Sequence, residues 1–190
     1  MPRWPHTAAI LCGGGSQRMG RPKAGIILPD GLTIIEHVYH ALEPLCDKVI
    51  LAGQGESVPE SLSHLQRIED NTPGLGPLGG IESLLDSSID LEYLITPCDL
   101  FRATPELFAL LLQPGIKAPA VLATQKSGQL LLEAAIARYS TTDLGIVRQL
   151  IEEQKFKLRT LAERTAAQTI TVPEELWPAL ANANTPEDLT

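Results

Sequence analysis

Aromatic residues make up only 4% of this 190-residue chain, so any core it builds must be aliphatic. With 44% hydrophobic residues that core has enough material for one globular domain, 1–190, and the length calls for no second one. Cysteine is scarce as well. Cys12, Cys46 and Cys98 are odd in number and lack Cys-x-x-Cys spacing, which argues against a disulfide framework and indicates no zinc site. They read as small buried thiols, although Cys12 and Cys98 each end an apolar run, where a nucleophile is a second reading. Positive charge is also short: 15 Lys and Arg face 23 Asp and Glu, a net charge of −8. Non-specific nucleic-acid binding depends on many cations and is not expected. No apolar run reaches the roughly 18 residues of a membrane span, and Met1 to Thr7 lacks the apolar core of a secretory signal. A cytoplasmic protein without a membrane partner is the expectation. Neither an internal repeat nor a low-complexity linker interrupts it.

One further absence is local. No acidic residue occurs before Asp30, so the stretch Leu11-Cys-Gly-Gly-Gly-Ser-Gln-Arg-Met-Gly-Arg-Pro-Lys23 carries a positive field inside a negative chain. It follows the apolar run Ala8 to Leu11, which reads as a buried strand opening into a glycine loop. With no side chains at Gly13, Gly14 and Gly15, successive backbone N–H groups can form a cradle for phosphate oxygens. Arg18, Arg21 and Lys23 supply the cations. The alternative is a flexible turn with solvated basic residues. Neither the dinucleotide fingerprint Gly-x-Gly-x-x-Gly nor the Walker loop with its Gly-Lys-Ser/Thr ending is present.

The rest of the chain alternates strands and helices. Pro29-Asp30-Gly31 is a turn, Thr33 offers a helix cap, and Ile34, Ile35, Val38, Tyr39 and Leu42 recur at helical spacing before Pro44. Lys48 to Ala52 is a second strand, so the first units make a right-handed βαβ crossover with parallel pairing. A short helix over Pro59 to Leu65 and a short strand over Gln66 to Glu69 lead to Asp70. Asn71 to Gly80 then holds four glycines and two prolines before the helical pattern of Ile81, Leu84 and Leu85. This loop is either a plain connector or, following a parallel strand, part of a ligand site at the carboxyl ends of the sheet.

Leu91 to Pro97 is a buried strand ending in Cys98-Asp99. Asp99 suits a helix cap or turn, and equally a Mg²⁺ ligand, since that ion binds through one or two carboxylates plus phosphate oxygens and water. A helix follows from Pro105 to Leu112, then a strand from Ala118 to Thr124. Leu130 to Ile136 is either a returning strand or a helix start. Asp143 to Gln154 is helical, with Phe156 to Arg164 a possible continuation, and Gln168 to Val172 alternates as a last strand. Thr185 and Pro186 open a terminal helix. If the first strand is central, the strands ending in Cys12 and Cys98 are neighbours, which raises an oxidation-sensitive site.

The loop from Leu11 to Lys23 resembles the opening motif of the molybdenum cofactor guanylyltransferase (MobA) family, Leu-x-Gly-Gly-x-Ser-x-Arg-Met-Gly-x-x-Lys, at every fixed position. Three further landmarks match in order: Gly76-Pro77-Leu78-Gly79-Gly80, Pro97-Cys98-Asp99, and Asn182-Ala-Asn-Thr-Pro-Glu-Asp-Leu189. The resemblance implies a three-layer α/β/α Rossmann-like nucleotidyltransferase fold with a mostly parallel sheet. It also implies an activity: transfer of GMP from GTP to the phosphate of molybdopterin cofactor, with Mg²⁺ and release of pyrophosphate. Other cofactor-biosynthesis proteins and recipient molybdoenzymes would then be partners.

By the same resemblance Leu11, Cys12 and Gly13 present backbone to base and ribose, and Gly14 and Gly15 shape the phosphate loop. Arg18 and Lys23 hold the triphosphate, with Arg21 a weaker candidate. Asp70 contacts the nucleotide, Gly80 lets the second loop approach it, and Asp99 binds Mg²⁺. Ala52 stands where relatives often place an Asn near the base, a contact that Gln54 would have to supply. Asn182 and Asn184 reach the pterin or its phosphate, unless they merely form an Asx turn. The attacking phosphate is ionised near neutral pH, so no histidine is needed as a base.

Some positions depart from the pattern. Pro22 precedes the motif lysine, and Gly20-Arg-Pro-Lys23 also occurs in molybdenum cofactor cytidylyltransferases. Those relatives usually have Ala-Ala-Gly in the first loop and lack Pro-Cys-Asp, so guanine is favoured. Phe101 replaces a familiar proline, and Gly128 to Ala134 matches poorly. Three readings therefore stand: the guanylyltransferase, a sister enzyme using CTP or another nucleotide, and an idle carrier of molybdenum cofactor.

Overall fold

The structure is a computed structural model that describes residues 4–12, 23–53 and 58–183, without the side chains of Pro5 and Lys23. The expectations for Gly13, Gly14, Gly15, Arg18, Arg21, Gln54, Asn184 and the terminal helix lie outside the described residues.

Local chemistry sets the first crossover. β1 (Trp4–Leu11) leads through a 3-10 turn at Lys23–Gly25 to α1 (Ile34–Leu42). The Thr33 amide donates to Glu36 Oε2 at 2.7 Å, and the Thr33 hydroxyl accepts from the Glu36 amide. This reciprocal cap satisfies two amides that the first helical turn leaves without partners. α1 buries Ile34, Ile35, Val38, Ala41 and Leu42 along one stripe. β2 (Cys46–Ala52) then pairs parallel with β1.

β3 is only Arg67–Ile68, and the predicted helix before it is a single 3-10 turn at Glu60–Leu62. α2 (Pro77–Asp86) begins earlier than the hydrophobic pattern indicates, because proline at the first helical position is pre-set for helix and has no amide to satisfy. Gly79 and Gly80 are therefore helical, not loop residues. β4 (Glu92–Pro97) precedes α3 (Pro105–Ala109), which tightens into a 3-10 turn at Leu110–Leu112.

β5 (Ala120–Lys126) and β6 (Gln129–Ser140) form a hairpin, resolving the ambiguous Leu130 to Ile136 stretch as strand. An irregularity interrupts their register between Val121 and Leu122, and residues 134–136 of β6 are extra there. Such an irregular period hides the strand from a simple alternation test. α4 (Leu144–Glu152) and α5 (Leu158–Arg164) are separate helices, and β7 (Gln168–Thr171) closes the sheet.

Among the described residues seven strands form one sheet in the order β3-β2-β1-β4-β6-β5-β7, with only β6 running against its neighbours. Alternating side chains build two cores. Ala8, Ile10, Leu51 and Leu94 pack with α1 and α3 on one face, and Ala9, Ile50, Tyr93 and Ile95 pack with α2, α4 and α5 on the other. This is the three-layer Rossmann-like arrangement. The chain runs outward from β1 to β3, then returns to the opposite side of β1 for β4. That reversal leaves a crevice between β1 and β4 at the carboxyl edge of the sheet, where open α/β sheets bind ligands.

Candidate active site

Strand register brings the candidate residues to one level. Leu11 pairs with both Ala52 and Pro97, and Ala52 with Ile68, so the ends of β1 to β4 are flush. The Cys12 amide donates to the Ala52 carbonyl at 2.7 Å, and the Gly53 amide donates to the Ile68 carbonyl at 2.8 Å. Leu11 and Cys12 sit at the end of β1 with their side chains buried. Ala52 is buried too, with its carbonyl already bonded, so this position presents no side-chain surface to a ligand.

Asp70 follows β3 and turns toward the start of α2. A methyl group added at Gly80 would stand 3.6 Å from both Asp70 Oδ1 and Leu11 Cδ2. Asp70, Leu11 and Gly80 therefore share one small space. Among the described residues Asp70 Oδ1 is buried without a hydrogen-bond partner, and burial raises the carboxyl pKa. Such a group gains from any donor that a ligand brings.

The loop before α2 is fixed from within. Gly76 caps the helix at φ +61°, a conformation that L side chains rarely adopt. Gly79 lies so close to Leu75 that an added Cβ would stand 2.9 Å from the Leu75 Cβ. The Asn71 amide donates to Ser83 Oγ, and Arg148 donates to Glu82 and Asp86 on the outer side of α2.

Asp99 is half-buried at the turn after β4. Beside it the chain brings in its C-terminal part: the Ala183 amide donates to the Asp99 carbonyl at 3.0 Å, and Asn182 bridges to Leu100. Ala183 packs with Ile26, Leu28, Ile34 and Phe101, which anchors that segment against the stretch between the 3-10 turn at Lys23–Gly25 and α1. Asn182 itself is exposed. Two cations near this edge had no sequence signal. The positive charge of Arg67 on β3 reaches Cys12, and Arg102 lies over the Phe101 ring at 5.2 Å. A β3 of two residues has no periodicity from which to place Arg67.

Cys12 and Cys98 complete the crevice. A hydrogen bond with Cys98 and then burial hold the Cys12 thiol well above the ordinary thiol range, outweighing Arg67. A separate concavity of about 340 Å³, lined by Gln125, Gly128, Thr171 and Trp177, lies at the ends of β5 and β7, beyond β6 from Asp99. No helix among the described residues is long and apolar enough to cross a membrane.

The carboxyl edge thus joins backbone from β1, a buried acceptor at Asp70, a carboxylate at Asp99 and an asparagine from the C-terminal segment. Such a set can hold a polar ligand across the crevice. A solved structure with the same fold is molybdopterin-guanine dinucleotide biosynthesis protein A from Archaeoglobus fulgidus, with a TM-score of 0.74 at 22% identity, covering 97% of this chain and 95% of that one. Another is 2-C-methyl-D-erythritol 4-phosphate cytidylyltransferase from Thermus thermophilus, with a TM-score of 0.67 at 15% identity, covering 96% and 94%. At these identities the likeness concerns the fold. In sequence the chain is 31% identical over 187 residues to the Mycobacterium marinum protein named "Probable molybdenum cofactor guanylyltransferase", covering 95% of this chain and 89% of that protein. Residues 8–184, which run from within β1 through Asn182, match the MobA-like NTP transferase domain, and the chain is a nucleotidyltransferase of that family.

Proposed function

We propose that this chain, acting as one domain in the cytoplasm, transfers GMP from GTP to the phosphate of molybdopterin cofactor and releases pyrophosphate. The observation that carries the reading is the bond from the Ala183 amide to the Asp99 carbonyl, because it seats the Asn182 segment against the turn that holds Asp99 at the sheet's switch point. A nucleotide would enter along Leu11, Cys12, Gly13, Gly14 and Gly15, with its donors satisfying Asp70 and its base passing over Gly80. The acceptor would approach from Asn182 and Asn184. Arg18 and Lys23 would face the triphosphate and stabilise the charge that builds on the departing pyrophosphate.

Attack on the α-phosphorus needs alignment and charge stabilisation more than proton transfer, since the attacking phosphate is already ionised. Mg²⁺ fits the donor set. Asp99 offers a hard oxygen ligand, and among the described residues no cluster of three or more His, Cys, Asp or Glu could form an all-protein cage. This suits an ion held jointly by one carboxylate and phosphate oxygens. When bound, it would neutralise phosphate charge.

The test is calorimetric titration of the purified chain with GTP, CTP, ATP and UTP in the presence of Mg²⁺. GTP preference, followed by pyrophosphate release on adding molybdopterin, is expected. CTP preference would move the assignment to a sister cytidylyltransferase, and no binding to any of the four would overturn the proposed transfer in favour of an idle carrier of molybdenum cofactor.

A further inference from the structure

We propose that Cys12 and Cys98 form an oxidation site, a reversible cross-strand disulfide that a peroxide writes across the nucleotide crevice. β1 and β4 pair in parallel with Leu11 opposite Pro97, which makes Cys12 and Cys98 the next pair outward. Both belong to the same face of the sheet. Ile10 and Cys12 point into the α1 and α3 core, and Cys98 packs against that same core. Adjacent strands lie about 4.8 Å apart, within the Cα separation of roughly 4.4–6.8 Å that a disulfide spans. The two thiols are also within hydrogen-bonding reach of each other. All three cysteines are reduced here, and the third, Cys46, lies fully buried at the opposite end of the sheet.

Exposure assigns the order of events. Cys98 is half-buried and meets the oxidant first, while Cys12 is only 5% exposed and waits beneath it. The Cys98 sulfur attacks a peroxide oxygen, the O–O bond breaks, and one water leaves, giving a sulfenic acid. The Cys12 sulfur then attacks the Cys98 sulfur, the S–S bond forms, and the sulfenic oxygen leaves as a second water. Two thiols and one hydrogen peroxide thus become one disulfide and two waters. A dithiol reductant reverses the step by exchange. The bond ties the strand ends to each other one residue before Gly13 on one side and one residue before Asp99 on the other. Nucleotide binding would therefore weaken on oxidation.

The purified full-length chain is treated with hydrogen peroxide, alkylated, and examined by intact mass and peptide mapping. A loss of two hydrogens with Cys12 and Cys98 in one linked peptide, Cys46 still alkylated, and reversal by dithiothreitol is the expected result. Nucleotide affinity, measured before and after oxidation, should fall by about tenfold. In Cys98→Ser, compared with itself before and after peroxide, neither change should occur. Cys12 and Cys98 both still alkylated, or carrying separate oxygen adducts without a link, would overturn the proposal. A linked pair with unchanged affinity would overturn its coupling to the crevice. The mass result stands independently of which nucleotide binds, and the wild-type map is decisive even if the serine variant fails to fold.

Discussion

The amide of Ala183 donates to the carbonyl of Asp99 at 3.0 Å, joining the C-terminal segment to the turn after β4. This single bond, with the Asn182 to Leu100 bridge, brings two distant sequence landmarks into one crevice. It separates their roles experimentally. Asp99→Asn should abolish Mg²⁺-dependent transfer, by at least about a hundredfold, as expected when a preorganised charge is removed from a phosphoryl-transfer site. Asn182→Ala should leave nucleotide affinity near wild type and weaken use of the acceptor. Steady-state kinetics with each substrate varied in turn distinguishes the two, and circular dichroism checks that the fold is kept.

Gly79 and Gly80 are adjacent but should respond oppositely. An added methyl at Gly79 would meet the Leu75 Cβ at 2.9 Å, so Gly79→Ala should destabilise by about 1–3 kcal/mol through overpacking. At Gly80 the nearest atoms stand at 3.6 Å, an ordinary contact. Gly80→Ala should therefore be neutral or stabilise by up to about 1 kcal/mol through helix propensity, while lowering nucleotide affinity. Urea unfolding and nucleotide titration of both variants check this. Equal stability loss at the two positions would refute the geometry.

Much of this was legible in advance because local rules agreed. Thr33 and the helical spacing from Ile34 to Leu42 marked α1, Pro105 marked α3, and the buried runs ending at Leu11 and Pro97 marked neighbouring strands. The places that were not legible have physical causes. Pro77 starts α2 through its fixed φ, ahead of any apolar repeat, so Gly80 reads as a loop residue when it is helical. The extra residues 134–136 break the alternation of β6, and β3 is too short to show one. Burial of Asp70 Oδ1 without a partner among the described residues is a tertiary property that no spacing announces.

Arg138 should be the most sensitive charged residue far from the crevice. It is 6% exposed, donates to the carbonyls of Leu111 and Ile116, pairs with Glu92, and stacks over Trp4 at 4.9 Å. Replacing it leaves two carbonyls and a carboxylate short of partners. Arg138→Met should destabilise by about 3 kcal/mol in denaturant titration. A loss below about 0.5 kcal/mol would show that water replaces these bonds.

Acid should loosen the entry to α1. Hydrogen bonds from Ser61 and then Thr33 lower the Glu36 pKa in the folded chain. A depressed carboxylate contributes stability that is fully present above its unfolded value, about 4.3 for Glu, and is lost as pH falls through the folded value. Glu36→Gln should therefore lower Tm at neutral pH and flatten the acid limb of the stability curve. Thermal melts across the acid range would show an unchanged limb if the cap were not formed in solution.

Asp70 should behave with the reverse sign. Burial raises its pKa in the folded chain, so the ionised form opposes folding once pH has risen above both the unfolded value, about 3.9 for Asp, and the folded one. Asp70→Asn keeps the shape and an acceptor but removes the charge. It should raise Tm at neutral pH, and this gain should vanish below about pH 3.9, where the native residue is protonated in both states. The same substitution should weaken nucleotide binding, because a neutral amide rewards a ligand's donors less than a buried carboxylate does. A residue whose replacement stabilises the fold and impairs binding is held in place by function. Melts at neutral and acid pH, paired with nucleotide titration, test both halves. A destabilised Asp70→Asn at neutral pH would mean that the carboxylate supports the fold and not the ligand.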